Sequence, residues 1–364
     1  MTNIDNTIRG SGSIDVDLIN EAAGRVEIAV GDLLTIRDVT GGTINGETGA
    51  VFGGNGVFRD LTFTGSLAAT TTATPTLQGA IDNRGTLTFA GTPLNVTNES
   101  LLISGDVLLS GGGEIVLVEA NDSVIANAGA TPGTLTNVDN TIRGAGQIQS
   151  LTLNNQGTIR AEGGEVTFTG VDFTQTAGRL EVAEDGVLRA SQELLILDGQ
   201  VGGTGIIIGD IRNQGGTINA GDLSGTTGTL ALEGDLFHET DSTLFFDIGL
   251  PDSSQFDLLD IDGGLELLGG GLEVSLISGD FLIPESTRID IVLASDGISG
   301  TLDSVLLPTD SLGNALFSVD VDSAGIISLV ALQDIQGVAI PEPSSAGICL
   351  IAGILLTIRR RRIA

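Results

Sequence analysis

Apolar and polar residues alternate over four to six positions in stretches such as "AGRVEIA" from Ala23, "LNNQGTIRA" from Leu153 and "RIDIVLAS" from Arg288. A period of two is the mark of a strand buried on one face. The recurrence at three and four that a helix needs is missing, and glycine interrupts nearly every stretch long enough for three turns. The pattern predicts many short strands.

The strands come in repeats. "NIDNTIRGSGSI" from Asn3 returns as "NVDNTIRGAGQI" from Asn137, and "AGRVEIA" returns as "AGRLEVA" from Ala177. A shorter unit, an Asn-rich step before Gly-Thr and an aliphatic residue, recurs at Ile81, Leu153 and Ile211. Asn and Gly tolerate the positive φ angles of tight corners, while Val, Ile, Leu and Thr suit a half-buried pleated surface. Stacking such strand-corner-strand units lines up equivalent aliphatic side chains inside, and corner asparagines can bond to one another in ladders. The expected fold is therefore all-β: a parallel β-helix, or β-solenoid, with the right-handed form as the default. Residues 1–222 are expected to form the solenoid repeats; at roughly 20 to 24 residues per coil, residues 1 to about 230 hold ~10 coils, a rod on the order of 50 Å long. "ATTTATPTLQG" at 69–79 reads as a loop leaving the stack.

Near residue 223 the alternating segments lengthen, as in "STLFFDIG" and "GLEVSLIS", and half of the 12 Phe fall beyond this point. Residues 223–333 are expected to form a C-terminal β cap, because an open solenoid end exposes strand edges. The stretch from Ile218 to Gly279, with its Gly-Thr-Leu, Ser-Thr-Leu, Phe-Asp and Gly-Leu-Glu-Val steps in order, resembles the end of the passenger β-helix of autotransporters and related bacterial surface proteins. The resemblance implies a surface β-helix and carries no catalytic residue with it.

Composition narrows the function. The 364 residues include 54 Gly, no Trp or Tyr and no Lys, and the mean hydropathy is +0.31. A chain this apolar can bury a core. Four of the fifteen arginines, Arg359, Arg360, Arg361 and Arg362, stand at the C-terminus, so residues 1–358 carry 11 Arg against 47 Asp and Glu, a formal charge of −36. That surface repels nucleic acid, and no nucleic acid partner is expected. Scattered carboxylates read as a solvated face, so neither a specific metal site nor a cofactor is expected. The single cysteine, Cys349, lies in an apolar run and excludes an intrachain disulfide.

That run explains the arginines. Ser344 to Ile358 is uncharged and mostly apolar, about 22 Å long as a helix against a hydrocarbon core of about 30 Å. It is expected to enter the membrane as one short transmembrane helix, with the arginines held on the cytoplasmic side and the acidic body on the other. Residues 334–343 form the linker, in which Pro341 and Pro343 make an extended, accessible joint around Glu342. Pro-Glu-Pro, apolar helix and basic cluster together resemble the PEP-CTERM sorting signal. The resemblance implies that Pro341, Glu342 and Pro343 are the recognition motif and Arg359 to Arg362 the basic tail. It also implies an exosortase-type membrane protease as partner, and a chain that passes the inner membrane on its way to the cell surface or an exopolysaccharide matrix. An ordinary tail anchor would place the body on the same side. The start, "MTNIDNTIRG", has no signal-peptide features and matches an interior repeat, so upstream residues are expected to precede it.

Chemistry is sparse. Asp257, Asp260 and Asp262 in "FDLLDIDGG" are close in sequence, and paired acids cleave glycosides. Alternation puts Asp260 and Asp262 on one face and Asp257 on the other, so they read as structural. His238, the lone histidine, reads as a surface turn residue; "GGNGVFRD" at Gly53 matches a calcium-binding nonapeptide only once, where that motif works in tandem. The expected function is a noncatalytic surface or matrix protein. A secreted carbohydrate-active enzyme, lyase or hydrolase, is the alternative, with an adhesin as a variant; a groove with converging carboxylates and an Arg from adjacent coils would favour the enzyme.

Overall fold

A computed structural model describes residues 1–70, 73–89, 99–221, 226–249, 255–278 and 281–336. Among these residues there is no helix, and nearly every strand joins one continuous sheet. The chain coils as a three-sided parallel β-solenoid. One side can be followed through thirteen parallel pairings, hence fourteen strands, from Thr7–Arg9 to Ile298–Thr301. Its eleventh strand is Ile211–Asn213, so the expectation of about ten coils before residue 230 is one short. Fourteen layers at about 4.8 Å give a rod on the order of 65 Å long.

Alternation makes the core. Leu87, Ile115, Ile142, Ile159, Leu180, Val201, Ile218, Leu244 and Leu272 are in register on successive coils and all buried. Their neighbours in sequence point outward; Thr86, Thr141, Thr158, Thr217 and Thr243 form part of one outer column. Where the interior widens, phenylalanines fill it. Phe58 packs edge-on against Phe52 and Phe63, with ring centroids 6.1 and 5.7 Å apart, and Phe52 meets Phe89 at 6.3 Å.

Corners decide where strands bend. Several strands, such as Thr141–Gln149 and Thr158–Thr169, serve two sides and break register at the corner between Gly144 and Gly146. Gly144 has φ of +110°, and a Cβ there would lie 1.9 Å from the Leu117 carbonyl oxygen of the coil below. Only glycine fits.

At other corners asparagine closes the turn. The Asn137 side chain donates to the Asn140 carbonyl at 2.9 Å and accepts the Asn140 N–H at 3.1 Å; Asn3 does the same to Asn6 at 2.8 and 3.1 Å. The spare amide hydrogen reaches the next coil: Asn3 to Asn20 at 2.8 Å, Asn137 to Asn155 at 2.9 Å, and Asn155 to Gln175 at 3.2 Å. These are the ladders expected from the repeats. The two copies of the twelve-residue repeat nevertheless occupy different corners, since the strand ending at Asn3 lies on one side of the rod and that ending at Asn137 on the next.

The solenoid does not stop where the composition changes. Sequence reading starts the cap at 223, yet parallel pairing continues through Thr229–Glu233, Leu258–Asp262 and Gly271–Leu276 to Ser304–Leu306. Apart from the isolated Ile248–Phe256 bridge and the short Leu282–Ile283 pair with Ile335–Gln336, the antiparallel pairing among the described strands is that of Ile326–Ala331 with Arg288–Ala294 and with Phe317–Asp322. Longer strands therefore lengthen the last coils before any cap begins. Thr76, inside the segment read as a loop, is likewise in register with Val57.

Candidate functional site

The sorting-signal residues Pro341, Glu342, Pro343 and Arg359 to Arg362, with the apolar run 344–358 and Cys349, lie outside the described residues. The remaining candidates are found in the rod.

Asp260 and Asp262 are exposed on the outer face of Leu258–Asp262, and Asp257 is fully buried. The three do not converge. Asp257 instead meets Asp247. Its Oδ1 accepts the Gly228 N–H at 3.0 Å and its Oδ2 accepts the Asp247 N–H at 2.8 Å, while its own N–H donates to the Asp247 carbonyl at 2.9 Å. The pair clamps a short antiparallel stem in which Ile248 bridges Phe256. Burial pushes the Asp257 carboxyl up to about 7, against the opposing pull of its two N–H donors, and the charge of Asp247 adds to the rise. Asp247 is raised too, again chiefly by burial. Sequence reasoning passed over this pair, although both acids follow Phe in the repeated Phe-Asp step. Asp257 is fully buried and each of its oxygens already accepts a backbone N–H, so the clamp is structural.

His238 is a correction. It is fully buried, in register with Asn213, and takes an asparagine's place in the corner ladder. Nε2 donates to the Gly271 carbonyl of the next coil at 3.2 Å, and Nδ1 lies 2.8 Å from the Ser242 hydroxyl. Burial pulls its pKa down to about 4, so the ring is neutral at physiological pH. Position in the repeat, after an alternating "DLFH" strand, was the signal for burial. The "GGNGVFRD" segment is equally structural, since Val57–Arg59 is a ladder strand and Asn55 accepts the Thr74 N–H at 3.1 Å.

The surface feature nearest to an enzyme's groove is a charged ribbon. Val116, Arg143, Arg160 and Glu181 stand in register on four coils, beside a depression of ≈ 410 Å³ lined also by Val118, Glu162 and Asp185. Carboxylates and arginines from adjacent coils do converge here. Each arginine, however, is held between two acids: Arg143 by Glu162 at 2.9 Å and Glu114 at 3.2 Å, Arg160 by Glu162 at 2.7 Å and Glu181 at 3.2 Å. The hydrogen bond that Arg143 donates to Glu162 is the chief reason its pKa is raised. Both cations are matched within the ribbon, and a substrate carboxylate would have to displace an internal partner to be gripped. Arg212 is occupied in the same way by Glu193 and Glu239 and lies 4.4 Å over the Phe237 ring, covering that aromatic face. Among the described residues no cluster of three His, Cys, Asp or Glu side chains is arranged to hold a metal ion.

The fold thus defines an acidic parallel β-solenoid whose buried polar groups serve the stacking of coils. No family model matches the chain, and no curated protein matches it.

Proposed function

We propose that this chain is a noncatalytic exported scaffold of the cell surface or of an exopolysaccharide matrix, delivered through a C-terminal PEP-CTERM-type signal read by an exosortase-type protease. The observation that supports it best is how the rod spends its ionisable groups. Buried Asp257 and His238 bond to backbone that joins coils, and the arginines of the surface ribbon are neutralised within it. Such a body is long, acidic and regular, and it offers spacing and charge in place of a reaction centre. In this reading the coil is right-handed, residues 344–358 cross the membrane as one helix, and Arg359 to Arg362 keep that end cytoplasmic.

Cell fractionation tests the proposal. With its natural sorting machinery the protein is expected in the surface or matrix fraction, and replacing Arg359 to Arg362 by Glu should strand it before processing. Accumulation of the unaltered chain in the cytosol, tail intact, would contradict it.

The ribbon gives one observation in favour of the carbohydrate-active alternative. That reading requires turnover of an acidic polysaccharide, lost on Arg143→Ala or Glu162→Gln. The scaffold reading expects no turnover from the wild-type body.

A further inference from the structure

We infer that the rod stands end-on against a lipid bilayer, its C-terminal end in contact with neutral, zwitterionic headgroups and Leu312 as the inserted tip. The inference rests on the membrane reading of residues 344–358 given above. Its grounds lie in the last coil.

The interior aliphatic column that begins on the early coils ends, among the described residues, at Val305, which is stacked on buried Leu272 but is itself 45 % exposed, with no further described coil over it. Leu306 beside it is 62 % exposed. The strand Ser304–Leu306 pairs on one edge only among the described residues, so the core and the ladder are both open here.

From that edge the chain makes a closed turn. The Asp310 carboxylate accepts the N–H groups of Leu312 and Asn314, each at 2.8 Å, and the Asn314 side-chain amide at 2.9 Å. Those bonds hold its pKa low and turn its charge into the loop. Leu312 is left at the tip, 84 % exposed, the most exposed large apolar side chain described. An uncovered leucine on a rigid turn loses little entropy on insertion and gains by leaving water.

The chain also leaves the rod at this end. Leu316 bonds to the Pro308 carbonyl, Leu332 bonds to the Leu316 carbonyl, and the last described strand, Ile335–Gln336, pairs with Leu282–Ile283. Leu282 and Leu332, at the exit point, are about half exposed. Residues 337–343 can span at most about 25 Å before the apolar run begins. If that run is in the bilayer, the open end of the rod lies within reach of the surface. The choice of neutral lipid follows from charge: Glu285, Asp310 and Asp334 flank the apolar residues, and anionic headgroups would be repelled.

The test uses the full chain with Cys349→Ala, reconstituted in phosphatidylcholine vesicles, carrying a nitroxide on a cysteine at position 312 or, as mid-rod control, at exposed Gln156. Vesicle flotation reports the tail. Relaxation by dissolved oxygen against a water-soluble nickel complex reports the label's surroundings. The expected result is a floating protein whose label at 312 loses access to the nickel complex and gains access to oxygen, while that at 156 stays aqueous. Adding anionic lipid should reverse part of the shift at 312. A chain that floats with an aqueous label at 312 overturns the inference and leaves the membrane reading standing. Spin coupling between labels at 312 would show a second copy covering the end, and also overturns it. A chain that does not float sinks the membrane reading and this inference together.

Discussion

At the scale of single residues, a few buried polar groups tie one coil to the next through side-chain hydrogen bonds. Asn137 makes three hydrogen bonds from a fully buried position, so Asn137→Ala should cost about 3 kcal/mol by leaving the corner and the ladder unpaired; denaturant titration would measure it. His238 makes a pH prediction. Its folded pKa of about 4 lies below the unfolded value of 6.5, so the unfolded chain takes up the proton first and stability from this group is lost as pH falls from 6.5 towards 4. Asp257 acts oppositely: raised from 3.8 to about 7, its contribution is complete at low pH and is lost as pH rises through 7. The two slopes, each at most about 1.4 kcal/mol per pH unit, therefore offset one another between 4 and 6.5. His238→Asn, which restores the residue used one coil below, should uncover the Asp257 slope, giving a protein that weakens steadily from pH 4 to 7 in thermal melts. A flat profile in that variant would show that Asp257 is not held protonated by its burial.

At the scale of strands and corners, the alternation and the Asn-Gly-Thr repeats were enough to place the coils, because both follow from one local rule: aliphatic residues in, turn formers at the edges. Which corner an asparagine step occupies was not legible. Asn3 and Asn137 close identical turns on different edges, since the number of strands separating them is set by long-range stacking. The same limit hid His238, whose ladder position shows only when Asn213 lies beneath it. Asp247 and Asp257 were separately visible, but the stem that joins them is a three-dimensional fact. Corner geometry makes its own prediction. Gly144→Val would demand a φ near +110° and drive a side chain into the Leu117 carbonyl, costing more than about 3 kcal/mol and lowering the folded yield. A variant as stable as wild type would refute the close approach at that corner.

At the scale of the whole molecule, charge sets behaviour in solution. The arginine ribbon pairs internally, and most of the 47 acidic residues are left to repel one another along a rod on the order of 65 Å. Salt screens that repulsion, so Tm should rise as NaCl is increased from a few millimolar to about 0.15 M; a fall would mean that the ion pairs outweigh the net charge. The same acidity is read as favouring a hydrated, loosely associated rod at a surface, and the apolar run followed by four arginines as the means of getting there. The most direct measurement is the intact mass of the native protein recovered from the cell surface or matrix. The account predicts a C-terminus that ends before Arg359, with the basic tail removed. Native protein that carries Arg359 to Arg362 and is soluble in the cytosol would contradict it.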